Sequence, residues 1–213
     1  MSFLLSRYLE EWKYFKAKLR FGLLLIAVIF LLSTILFYIG FSQNPQMATK
    51  VIKYVAKQFR SEGFYGPYRF NTCLKIFAHN ATVNLLIGVS GIIPFLFIPI
   101  WILLASANVL GAIIAALQIK GISALQAIFL AVLPHAIFEL PATFYSTSIG
   151  ILICVECSRK LIRKQGMETR SLSIPKILKN AVRSYVLIIG PLLALAGAIE
   201  TFITPLLAKA LIR

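Results

Sequence analysis

Two side chains able to move a proton or ligate a metal stand four residues apart between two prolines. They are His135 and Glu139, inside the run Leu-Pro-His-Ala-Ile-Phe-Glu-Leu-Pro at 133–141. On a helix, side chains at i and i+4 share a face. The pair could hydrogen-bond to each other, relay a proton, hold a metal with a third ligand, or satisfy the backbone groups that Pro134 and Pro141 leave free. A further acid, Glu200, lies five residues before Pro205, and His79, Asn80 and Asn84 fall on one helical face. The polar residues of that face could pair across helices, their usual task in a membrane bundle. Glu200 could instead pair with His79 or Asn84.

We assign Asn80, His135, Glu139 and Glu200 as a polar intramembrane motif, with Pro134, Pro141, Pro191 and Pro205 as helix breaks. No catalytic residue, metal or cofactor is assigned. There is no His-Glu-x-x-His, no Gly-x-Ser-x-Gly and no phosphate loop, and no Glu-Glu pair followed by Arg on any span, so the chain is not expected to be an enzyme. Cys73, Cys154 and Cys157 give no disulfide framework, and the Cys-x-x-Cys at 154–157 lacks the strand–helix context of a redox motif. Asn80-Ala81-Thr82 matches a glycosylation acceptor only weakly, because it stands at a membrane edge.

These polar residues stand out because their surroundings are apolar. Of 213 residues 59% are hydrophobic, and the mean hydropathy is +0.86, against about 45–50% apolar for a soluble domain. Runs of about 18 or more apolar residues cross a hydrocarbon layer roughly 30 Å thick, and several are present. The fold class expected is therefore all-α: a polytopic helical membrane bundle of about five spans, with span 4 broken by proline and with amphipathic interfacial helices. The charge balance is 22 Lys and Arg against 7 acids, a net +15. The bases flank the apolar runs, so anionic lipid headgroups explain them better than nucleic acid.

Along the chain, residues 1–20 read as a cytoplasmic amphipathic helix. Leu5, Tyr8, Trp12, Phe15 and Leu19 form its apolar stripe, and Glu10, Glu11, Lys13, Lys16 and Arg20 lie off it. It either lies in the interface or packs on the rest of the protein. Residues 21–41 form span 1, a retained anchor too long for a signal-peptide core. Residues 42–72 are read as an extracytoplasmic loop with an amphipathic helix: Lys50, Lys53, Lys57 and Arg60 occupy one arc, and Met47, Val51, Val55 and Phe59 the opposite one.

Residues 73–213 form the bundle domain, spans 2–5. Residues 74–118 are too long for one crossing and should reverse near Gly91 to Pro99. Span 3 ends near Lys120-Gly121. Span 4, residues 122–157, should be split in two by Pro134 and Pro141. A basic cytoplasmic loop covers 158–181, with Arg159, Lys160, Arg163 and Lys164 joining Lys50, Lys53, Lys57 and Arg60 as headgroup contacts. Ser173 and Pro175 there signal a helix start. Span 5 runs from about Arg183 to Leu207, interrupted by Pro191 and Pro205. The distribution of Lys and Arg places the N-terminus in the cytoplasm and the C-terminus outside.

The segments Phe-Ala-His-Asn-Ala-Thr-Val-Asn-Leu-Leu-Ile-Gly (77–88), Ala-Asn-Val-Leu-Gly-Ala (107–112), Leu-Pro-His-Ala-Ile-Phe-Glu-Leu-Pro-Ala (133–142) and Ala-Gly-Ala-Ile-Glu-Thr-Phe-Ile-Thr-Pro (196–205) together resemble the stage II sporulation protein M family, over most of residues 70–207. The positions carrying the resemblance are Asn80, His135, Glu139, Pro141, Glu200 and Pro205; His79-Asn80 departs from the Asn-Asn-like pair of the family pattern. The resemblance implies a multi-pass plasma-membrane protein without enzymatic activity. Its sporulation member is a membrane partner of peptidoglycan-degrading proteins. The expected role is a scaffold for membrane or envelope proteins, with a homodimer possible. The alternative is a transporter or channel-like component working through Glu139, His135 and Glu200.

Overall fold

The structure, a computed structural model, describes residues 2–61, 69–119, 121–162 and 173–209. All regular structure among them is helical. Five helical runs are long and apolar enough to cross a membrane, which establishes the all-α polytopic bundle. Helix α1 (Ser2–Tyr14) passes through a π-helical segment, Phe15–Leu19, into α2 (Arg20–Gln43). Only Asn44 separates α2 from the amphipathic α3 (Pro45–Ser61). Then come α4 (Phe70–Ser90) and α5 (Ile98–Ile119), with the reversal between them at 91–97, where it was expected.

The short α6 (Ala124–Gln126) leads through a second π segment, Ala127–Val132, into α7 (Leu133–Ile162). The last run is α8 (Ile174–Ser184), a third π segment at Tyr185–Ile189, and α9 (Gly190–Phe202), followed after a turn by α10 (Thr204–Lys209). Extended Ser173 precedes α8 and Pro175 occupies its first turn, as the sequence signals.

Span 4 departs from expectation: α7 continues unbroken through Pro141. The reason lies in where the prolines fall. Pro134, Pro191 and Pro205 are each the second residue of a helix that restarts after a π segment or a turn. A first-turn residue needs no intrahelical donor, so proline is tolerated there. In the wide turns ahead of two of them, the N–H of Leu133 bonds to the carbonyl of Ile128 and that of Gly190 to Tyr185, five residues back. Pro141 alone sits inside a helix, and packed neighbours let a membrane helix absorb one missing donor. Within the basic segment 158–181, α7 continues to Ile162 and α8 begins at Ile174.

Helix α7 is the centre of the bundle. In its membrane window 61% of residues are buried, against at most 33% in the other four runs. One side of it shares a core with α1, α8 and α9 through Leu19, Tyr145, Ile149, Ile153, Ile177 and Leu193. The other side meets α2 and α5, where Ile26, Phe30, Leu103, Ala107 and Phe144 pack together and the Phe30 and Phe144 rings meet edge to face at 5.3 Å. α2 and α5 run parallel: their starts share this cluster, and their ends are joined by the Tyr38 hydroxyl donating to Gln118 Oε1 at 2.6 Å.

Helix α4 passes α7 at glycines. A Cβ added to Gly150 would come within 2.7 Å of both the Ile87 carbonyl and the Pro99 ring, and one on Gly91 would run into the Gly150 carbonyl. Small residues that allow backbones this close are the usual device where lipid supplies no hydrophobic drive between helices. Beyond Gly91 the reversal carries Phe95 and Phe97 at φ 64° and 45°, a region that non-glycine residues enter only when held there. The end of α7 holds it: the Phe95 N–H donates to Ser158 Oγ at 2.9 Å, and Cys154 Sγ donates to the Ile93 carbonyl at 3.5 Å.

Replacing Gly150 with Ala should therefore destabilise the purified protein by about 1–3 kcal/mol through overpacking, read as a lower thermal midpoint in detergent. The matched change Gly40→Ala, where nothing lies within 4 Å of the new atom, should leave the midpoint unchanged or slightly raised.

Candidate functional site

Two polar centres sit on α7, one in its first two turns and one near its middle, at Tyr145. The first is at its start. His135 and Glu139 occupy successive turns, and the packing of α9 and α10 beside them brings Glu200 and Thr204 to the same place. One ligand-capable atom from each of His135, Glu139 and Glu200 lies within 4.8 Å of the other two. His135 Nδ1 is 3.4 Å from Thr204 Oγ1. All three residues are half-buried. The wide turn and the restart at Pro134 set the facing of His135 and Glu139. The turn at Ile203 ends α9 just beyond Glu200 and places Thr204 at the start of α10. Two acids and an imidazole so placed can share protons or ligate a cation.

Asn80, grouped with these residues from sequence, shows no hydrogen bond to them among the described residues. Its carbonyl accepts from Asn84 Nδ2 at 2.9 Å, and the tie across to the last span is made by the Tyr185 hydroxyl, which donates to the Asn84 carbonyl. Of the headgroup residues, Lys50, Lys53, Lys57, Arg159 and Lys160 are exposed. Arg159 also pairs at 3.0 Å with Glu156, an acid that is only 2% exposed within the Cys-x-x-Cys. The side chain of Arg60, and Arg163 and Lys164 altogether, lie outside the described residues.

The second centre is one that sequence reasoning missed. Glu11, placed off the apolar stripe of α1, is only 2% exposed. Its Oε1 accepts from the Tyr145 hydroxyl at 2.5 Å and from Ser184 Oγ at 2.6 Å, and its Oε2 accepts from Arg183 Nε at 2.7 Å. The neighbouring Glu10 accepts from Arg183 Nη1 at 3.0 Å but is half-exposed. Phe15 stacks between Trp12 and Tyr145, at 5.6 and 5.9 Å between ring centroids. The stripe residues Leu5, Tyr8 and Trp12 face outward instead. Of the two positions proposed for this helix, packing on the bundle is observed on its acidic side, and its apolar side is left exposed. The signal available in sequence was an acid with Tyr8, Tyr14 and Phe15 at helical spacing from it.

Removing Glu11 would leave the Arg183 guanidinium without its buried partner. Such losses cost about 3–5 kcal/mol. Glu11→Ala should accordingly lower the thermal midpoint sharply and expose the N-terminal helix to protease. Glu10→Gln, which touches an exposed pair, should change stability by no more than about 1 kcal/mol.

Comparison with known proteins adds one match. The family model described as Stage II sporulation protein M aligns with residues 26–205, which includes α7 and both of its polar centres except Glu11. No curated protein and no solved structure matches the chain. With five membrane-length helices and a family match running from α2 to α10, the chain belongs to the stage II sporulation protein M family of sporulation-related membrane proteins.

Proposed function

We propose that this protein is a non-enzymatic scaffold that holds envelope-remodelling partners at the outer surface of the membrane. The observation that carries the reading is the setting of α3. Its Ala48 is fully buried and the helix packs along α5, so it is fixed to the bundle. Lys50, Lys53 and Lys57 project from it at i, i+3, i+7 spacing with Tyr54 exposed between them. A basic face held in a fixed position suits docking of an acidic partner, since complementary charge steers encounter and fixes register.

Orientation follows from the same distribution of charge. Arg7, Lys13, Lys16, Lys18, Arg20, Arg159, Lys160, Lys176, Lys179 and Arg183 lie on α1, its junction with α2, the end of α7 and α8, at one end of the bundle. The positive-inside rule makes that end cytoplasmic, which puts α3 outside. Trp12 and Trp101, both more than half-exposed, then lie toward the cytoplasmic interface, where tryptophans concentrate. The exposed face of α2, from Phe21 through Leu24, Val28 and Leu32 to Ile39, is left for lipid or a second copy.

Crosslinking in intact native membranes followed by gentle solubilisation tests the proposal. Wild type should bring down a stoichiometric envelope protein. The triple change Lys50→Glu, Lys53→Glu, Lys57→Glu should lose it by about tenfold or more, because apposed like charges cost several kcal/mol. A wild type that purifies alone yet conducts ions or solutes in liposomes would overturn the scaffold reading in favour of transport.

A further inference from the structure

We infer that His135, Glu139 and Glu200 form a binding site for a first-row divalent transition cation of the zinc type, which clasps the start of α7 to α9. The inference goes beyond the scaffold proposal and does not depend on it.

Geometry carries the argument. The three ligand-capable atoms lie within 4.8 Å of one another. Four-coordinate zinc holds nitrogen and carboxylate ligands at about 2.0–2.2 Å, so its ligands lie roughly 3.3 Å apart around the ion. The spacing observed exceeds this by at most about 1.5 Å. The ligands come from two elements of the fold, an i, i+4 pair on α7 and a single acid on α9. Charge is the second consideration. The two acids Glu139 and Glu200 face each other beside the His135 imidazole, and among the described residues no Lys or Arg forms an ion pair with either carboxyl. Neither carboxyl has a hydrogen-bond donor among the described residues. Polar groups in a spanning segment need partners, and a divalent ion would supply one to both acids and neutralise them together.

The imidazole selects the class of ion. A nitrogen donor beside two carboxylates suits zinc and its neighbours, whereas calcium and magnesium favour all-oxygen sites. Thr204 completes the pattern. Metal-bound histidines almost always engage their second ring nitrogen with an oxygen, which fixes ring and tautomer. Here Nδ1 faces Thr204 Oγ1 at 3.4 Å, leaving Nε2 for the ion. Three protein ligands leave a fourth position for water.

The test uses the full chain, purified in detergent with a histidine-free tag, stripped by chelator and dialysed against Zn(II). Elemental analysis should find one zinc per chain. Zinc should also raise the thermal midpoint, whereas magnesium at the same concentration should not. Glu139→Gln, Glu200→Gln and His135→Gln should each abolish both effects. Thr204→Val, which keeps all three ligands, should weaken binding by roughly 10–100-fold, the range for groups that orient a ligand. A variant counts only if its metal-free midpoint matches wild type; if none of the ligand variants folds, the Thr204→Val shift decides. Wild type holding well under one zinc per chain would overturn the site. So would undiminished binding in the folded variants, which marks adventitious surface binding, or an equal response to magnesium.

Discussion

A carboxylate withdrawn from water must be given donors, and the assembly of this bundle turns on one such group. Glu11 lies on a helix that could have rested loosely on the membrane surface. Its carboxylate instead takes two hydroxyl donors and a guanidinium, from α7 and from the end of α8. Each bond is short, and the three donors lie 134 to 173 residues away in sequence. Desolvating the acid is offset only if all of them arrive together. The interaction therefore fixes the approach of α1, the level of α7 and the position of α8 at once. The wide turn at Phe15–Leu19 lets α1 dock here while α2 crosses the membrane.

Around that point the bundle is organised by α7, whose sequence differs from those of the other spans. From Thr143 to Ser148 every residue is buried, and all but Phe144 carry a hydroxyl where a lipid-facing helix would carry leucine. The hydroxyls of Thr147, Ser148 and Ser158 donate to carbonyls four residues back in the same helix, so they enter the interior already satisfied. Gly150 and Gly91 then bring α4 to backbone contact. The opposite case is α2, leucine-rich and exposed along one whole side, which reads as the lipid face of the bundle or its contact with a second copy.

Much of this was legible in the sequence, for reasons that can be named. Span 1 was expected at Phe21–Phe41 and α2 occupies Arg20–Gln43, because an uninterrupted apolar run has one stable state in lipid. The reversal at 91–97 was legible from the length of the apolar stretch, which placed it near Gly91 to Pro99. Of the four prolines expected to interrupt helices, Pro134, Pro191 and Pro205 stand where a helix restarts after a π segment or a turn, and only Pro141 lies inside an unbroken helix, because packed neighbours there absorb the missing donor. The partners of Glu11 were beyond reach, since they depend on how three helices stack. At the candidate site, the His135–Glu139 pair was readable from i, i+4 spacing. The meeting with Glu200, 61 residues further on, required the antiparallel packing of α7 and α9.

The most direct measurement of the central claim is a double-mutant cycle between Glu11 and Arg183, using Ala at each position and reversible unfolding in mixed micelles. The account predicts a coupling free energy of about 0.5–3 kcal/mol, the range found for residues in one hydrogen-bond or salt-bridge network. It also predicts that the double variant will be less destabilised than the sum of the single ones. Additive effects, with coupling indistinguishable from zero, would mean that α1 rests on the bundle without being fastened by this carboxylate, and would contradict the claim.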